Sequence, residues 1–87
     1  MKTSRTADRL IEIMNEQSLK QVDIIRLAKP FCDKYNVKMN KSDISQYIHG
    51  KTEPQQDKLF ILGLALNVSE GWLMGYDVPR ERMSDML

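Results

Sequence analysis

Apolar residues recur at intervals of three and four along most of the chain, the spacing that lines one face of an α-helix. Residues 5–16, RTADRLIEIMNE, place Ala7, Leu10, Ile11 and Met14 at helical spacing, with charged residues between them. Residues 20–29 place Val22, Ile25 and Ala28 the same way, with Ile24 and Leu27 widening the stripe, and the phase continues to Cys32 and Tyr35. Pro30 interrupts this second stripe. Proline removes one backbone hydrogen bond and crowds the preceding turn. The pattern therefore predicts either a kinked helix reaching about Tyr35 or a break near Lys29, with the kink favoured.

YNVKMN then reads as a connection, followed by NKSDISQYIHGKTEP over residues 40–54. Ile44, Tyr47 and Ile48 share one helical face there, and nearly everything else is polar. Asn40 is placed to cap this third helix, and Asp43 suits its first turn. Gly50 ends it as a C′ glycine does, and Pro54 suits the start of the next helix. Residues 56–66, QDKLFILGLAL, bring Leu59, Leu62, Ala65 and Leu66 to one side, while Phe60, Ile61 and Leu64 make the helix apolar almost all round. Such a helix belongs at the centre of the core. Asn67 ends it, Ser69 caps a last short helix through Met74, and Gly75 stops that one. YDVPRERMSDML carries no apolar stripe and reads as a tail or the start of a linker. No strand pattern or repeat interrupts this order. The expectation is an all-α, compact five-helix bundle over residues 1–76, with residues 77–87 as tail.

An 87-residue chain with 41% hydrophobic residues is enough for one small core. No stretch approaches the length of a membrane span, and the N-terminus MKTSRTADRL lacks the apolar region of a secretory signal. Cys32 is the single cysteine, which suits a reducing compartment and reads as a small buried apolar side chain. These features point to a cytoplasmic protein. One histidine and one cysteine far apart make no metal-ligand set, and neither a metal nor a cofactor is expected. No nucleophile–base arrangement, paired carboxylates or glycine-rich phosphate loop is present, so the chain is not expected to be an enzyme. Net charge is only +1, but residues 20–58 hold eight basic and five acidic side chains, so positive charge gathers around the third helix.

On a helical wheel of about 100° per residue, Ser42, Ser45, Gln46 and His49 lie opposite the apolar face of the third helix, with Lys41 at its leading edge. The major groove of duplex DNA admits one α-helix and presents donors and acceptors that lysine, glutamine and serine can read. Such a face equally suits a solvated surface. Asp43 opposes DNA binding, unless it turns aside to support the start of the helix.

The order of these pieces resembles the lambda-repressor and Cro type of helix-turn-helix domain, closest to the N-terminal domains of prophage-type repressors. The resemblance covers roughly residues 5–79 and rests on Gln21, the run ISQYIHGK, Pro54, LGLALNVS and WLMG, all in sequence. It implies sequence-specific binding of double-stranded DNA and transcriptional repression, with helix 41–49 in the major groove. Lys41, Ser42 and Gln46 match its base-reading positions. Lys20, Gln21, Ser45, His49 and Lys51 match backbone-contacting or supporting positions. For Gln21 a second account stays open: SLKQ also spells a capping box with Ser18 as cap. His49 is equally placed to favour the end of its helix when protonated. Trp72 reads as core or core-edge packing.

The chain departs from the family in KPFCDKYNVKM, which adds roughly nine residues between Lys29 and Asn40, where the motif has a tight turn, so that the second helix must run on or a loop must bulge. Lys34 and Lys38 in this extension are candidates for further phosphate contacts. The resemblance also implies a homodimer on a roughly palindromic operator. Relatives often carry a C-terminal dimerisation or peptidase domain, and nothing after Gly75 could encode one. The linker-like tail favours an excised N-terminal domain over a small regulator that dimerises through its own surface. A protein-interaction module or antitoxin-type regulator on the same scaffold is the alternative.

Overall fold

Three helices open on the same device: an aspartate three residues into the helix turns back to accept the N–H of the residue before it. The computed structural model, which describes residue 2 and residues 4–82, contains five helices: α1 (Thr6–Gln17), α2 (Gln21–Tyr35), α3 (Lys41–Ile48), α4 (Gln56–Leu66) and α5 (Glu70–Leu73). Asp8 accepts from Arg5 N–H at 3.0 Å, Asp23 from Lys20 N–H at 2.8 Å and Asp43 from Asn40 N–H at 2.9 Å. At α3 the box closes in both directions, because Asp43 N–H donates to Asn40 Oδ1 at 2.9 Å. Each bond satisfies a donor at a helix start and puts negative charge at the positive end of the helix dipole. Asparagine or serine in the left-handed region ends α1, α2 and α4, at Ser18, Asn36 and Asn67. Ser18 is thus the last cap of α1, not the first of α2, and the capping-box reading of SLKQ is not realised. Gln21 is the first residue of α2.

The helices form a compact all-α bundle, with α2 packed on α4, α3 against both α1 and α2, and α5 against α1 and α4. Leu10, Ile13, Ile24, Ile44, Leu62 and Leu73 are completely buried at its centre. Two stripes differ from the sequence pattern. In α1 the buried line is Thr6, Ala7, Leu10 and Ile13, while Ile11 faces out. In α2 it is Ile24 and Ala28, while Val22 and Leu27 are 48% and 41% exposed. Both helices carry apolar side chains over more than one face, and the neighbours in the bundle decide which face is covered. Helix α4 matches its pattern, with Leu59, Ile61, Leu62 and Leu66 buried.

Helix α2 runs unbroken through Pro30. The proline leaves the Arg26 carbonyl without its helical donor, and both residues lie on the exposed side of the helix. The added turns pack back on the bundle where Tyr35 meets Phe60 edge-on, ring centres 5.1 Å apart. Cys32 is half-buried, not buried, and the desolvation raises its thiol above its ordinary value.

The segment after α5 has no apolar stripe, yet through residue 82 it is held by hydrogen bonds and arginines. Ser4 N–H donates to Gly75 O, and Lys2 and Tyr76 form an antiparallel bridge. Ser69 donates from its N–H to Arg80 O and from its hydroxyl to Pro79 O, each at 2.7 Å. Arg80 grips both oxygens of Glu16 at 2.7 and 2.8 Å. Trp72, buried as expected at the core edge, has Arg9 and Arg80 over its ring at 4.5 and 4.9 Å. Arg82 donates to Val68 O and Glu70, its guanidinium filling the space above Gly63. The tail reading of residues 83–87 lies outside the described residues. Among the described residues no helix is long and apolar enough to cross a membrane.

Candidate nucleic-acid interface

An eight-residue helix is too short to be stable in water by itself. The bundle holds α3 by its apolar face: Ile44 is completely buried, Tyr47 nearly so, and Ile48 packs against the core beside them. Burial, and then the negative charges of Asp43 and Asp57, push the Tyr47 hydroxyl up to about 12, so it stays neutral. The start of α3 is fixed by the Asn40–Asp43 box. Its end is fixed by a Schellman turn, in which Gly50 N–H donates to Tyr47 O and Lys51 N–H to Gln46 O, with Gly50 at φ +71°.

What remains facing out is the polar strip read from the wheel. Lys41 and Ser42 are exposed at the leading end, Ser45 and Gln46 half-exposed in the middle, and His49 and Lys51 exposed at the trailing end. Several of these groups are already arranged by one another. The His49 ring sits with Nδ1 2.7 Å from Ser45 O. Gln46 Nε2 donates to Ser42 Oγ, and Thr52 Oγ1 donates to Gln46 Oε1, both at 3.5 Å. Asp43 does turn aside: besides accepting from Asn40 it lies 3.9 Å from Lys58 Nζ. Its charge is thereby spent on the helix start and on a lysine.

Lys20 and Gln21 lie apart from this strip, at the start of α2, which packs against α3. Lys20 is exposed and Gln21 half-exposed, and among the described residues no side-chain hydrogen bond ties either to α3. The structure brings the six α3 and turn residues together as one surface and leaves these two on a neighbouring element.

Charge on this side is unevenly neutralised. Arg26, Lys29 and Lys58 pair with Asp23, Asp33 and Asp43. Among the described residues, Lys20, Lys34, Lys38, Lys41 and Lys51 have no carboxylate within 4.0 Å. Lys38 lines one groove with Asn40, the cap of α3, and with Asp43, so the extension places a further lysine beside the start of α3.

Two residues at the site are absent from the sequence reading. Arg5, before α1, donates to Gly50 O at 2.8 Å and lies 3.5 Å from Glu53, bracing the turn after α3. Its partners are more than forty positions away, and no local pattern announces them. Thr52 is six positions from Gln46, and no helix-periodic pattern reaches across the Gly50 turn between them. Compared with family models and with curated proteins, the chain matches none.

Proposed function

We propose that this chain binds double-stranded DNA sequence-specifically and represses transcription by occupying a promoter, with α3 in the major groove. The observation that carries this reading is the strip from Lys41 to Lys51. It is rich in short hydrogen-bonding side chains, held outward by a buried opposite face, and edged by lysines without carboxylate partners. Lys41, Ser42 and Gln46 read base edges, and Lys20, Gln21, Ser45, His49 and Lys51 contact or support the backbone contacts. The resemblance to lambda-repressor and Cro-type domains supports the same assignment and a homodimer on half-sites about one helical turn apart. Function on DNA of this kind places the protein in the cytoplasm, without an enzymatic step.

A protein-interaction role has one observation in its favour: Pro54, Leu59, Phe60 and Met74 line an open, largely apolar groove between α4 and α5. Selection of bound sequences from a random duplex pool separates the two readings. Enrichment of a common sequence supports DNA binding. In that case Lys41→Ala and Gln46→Ala cost about 1–3 kcal/mol at one base position. Lys51→Ala instead weakens all sequences alike and flattens the salt dependence. No enrichment, with chemical shifts on adding DNA mapping away from residues 40–51, refutes DNA binding.

A further inference from the structure

Arg5 belongs to the start of α1, yet its guanidinium rests on the turn that ends α3. Nη2 donates to Gly50 O at 2.8 Å. A Cβ at Gly50 would meet Nη1 at 2.9 Å, Nη2 at 3.2 Å and Cζ at 3.3 Å, so the whole cationic head lies against the turn. On either side of Gly50 stand His49 and Lys51, both exposed. The head is anchored on one side only. Of its five N–H groups, those on Nε and Nη1 have no acceptor among the described residues, and the side chain is 55% exposed. The one carboxylate beside it, Glu53, lies 3.5 Å from Nη2 and is 46% exposed. That contact is long for a charge-assisted hydrogen bond, and an ion pair open to water holds little energy. The backbone bond therefore sets where the guanidinium sits, and the carboxylate is the partner that can be exchanged.

We propose that Arg5 donates to a DNA phosphate at the trailing end of α3, and that Glu53 occupies the phosphate's place until DNA displaces it. The proposal rests on the DNA-binding reading above and adds to it a backbone contact from outside α3 and the group that competes for it. A guanidinium fork fits phosphate oxygens as it fits a carboxylate, so one anion substitutes for the other on the same donors. A head already fixed on Gly50 loses less freedom when the phosphate arrives than a free lysine does. Glu53 opposes binding twice, by holding Arg5 in the free protein and by standing as an anion near the phosphate once displaced. The first effect needs Arg5 and the second does not, which separates them by experiment.

The test is the salt dependence of binding to duplexes from a random pool. It compares the wild-type chain with Arg5→Ala, Arg5→Lys, Glu53→Gln and the double variant Arg5→Ala with Glu53→Gln, each checked by thermal melting; Arg5→Gln replaces Arg5→Ala should the latter not fold. Arg5→Ala should weaken every duplex about tenfold, the worth of one charge-assisted hydrogen bond. It should also make log K against log salt shallower by about 1, and Arg5→Lys should keep most of that slope. Glu53→Gln should tighten all duplexes about 2–5-fold, the range of an exposed ion pair, and should lose most of that gain in the double variant. An Arg5 that only braces the turn would lower melting temperature and affinity with the salt slope unchanged, and that result overturns the proposal. So does an equal gain from Glu53→Gln with and without Arg5, the signature of plain repulsion. Binding by the wild type with either of these results sinks this proposal alone. No duplex binding by the wild type removes the DNA reading and this proposal with it.

Discussion

Ile44 is the anchor on which the presentation of α3 depends, and replacing it with alanine tests that dependence. The side chain is completely buried. Ile44→Ala removes three carbons, worth about 2.4 kcal/mol at about 0.8 kcal/mol per buried methylene, before any cavity is counted. With the cavity left behind, the loss should reach about 3–4 kcal/mol. The helix cannot make this up from its own propensity, since eight residues fall well short of a self-supporting length. For a domain of this size, about 4–8 °C of melting temperature goes with each kcal/mol, so the midpoint should fall by roughly 12–30 °C. Ile44→Val removes one carbon and should cost about 0.5–1.5 kcal/mol. Urea unfolding followed by far-UV circular dichroism reads both values, and the slope with denaturant should stay constant. On the proposed function, affinity for duplex DNA at 25 °C should fall only in proportion to the folded fraction, because the outward face of α3 is untouched. A loss below about 1 kcal/mol for alanine, or equal losses for alanine and valine, would refute the anchoring role.

Two further outcomes follow from the fold. Gly75 has φ +104°, and a Cβ there would run into the Ser4 carbonyl, so Gly75→Ala should cost about 2–4 kcal/mol in urea unfolding. Gly71→Ala, in helical backbone with only a methyl of exposed Val78 near, should stay within about 1 kcal/mol. The hydrogen bond from Arg80 holds the Glu16 carboxyl below its ordinary value, and the Lys20 backbone N–H does the same for Asp23. Both folded-state values are depressed, so the stabilisation is present above the ordinary values of 4.5 and 3.8 and fades as pH falls through the lower folded ones. Urea midpoints from about pH 6 down to about pH 3 should fall less steeply in Glu16→Gln and Asp23→Asn than in the wild type.

Punctuation between helices was the most legible part of the chain, because each signal acts on its nearest neighbours. Asn40 and Ser69 cap, Asn67 and Gly75 stop, and the pattern predicts all four where they occur. Phase was less legible where apolar residues cover more than one face. Ile11 and Ile13 are two positions apart, and only packing against α3 and α5 shows that Ile13 goes inside. The chain after Gly75 carries no apolar stripe, and what ties it down through residue 82 are bonds to Glu16, Val68 and Ser69. At the site, the polar strip of α3 follows from its wheel, since the apolar face had to turn inward. The brace from Arg5 does not, because Gly50 lies far along the chain.

The guanidinium of Arg82 over Gly63 links two positions that no local pattern would pair. A Cβ at Gly63 would come within 2.6 Å of Arg82 Nη1 and 3.0 Å of the Val68 carbonyl oxygen. Gly63→Ala alone meets an occupied site, whereas the same change after loss of Arg82 meets an emptier one. The two substitutions should therefore be non-additive, Gly63→Ala costing less once Arg82 is lost, while the approach to the Val68 carbonyl remains. Over many generations of drift, a change at position 63 would then be better tolerated after one at position 82 than before it.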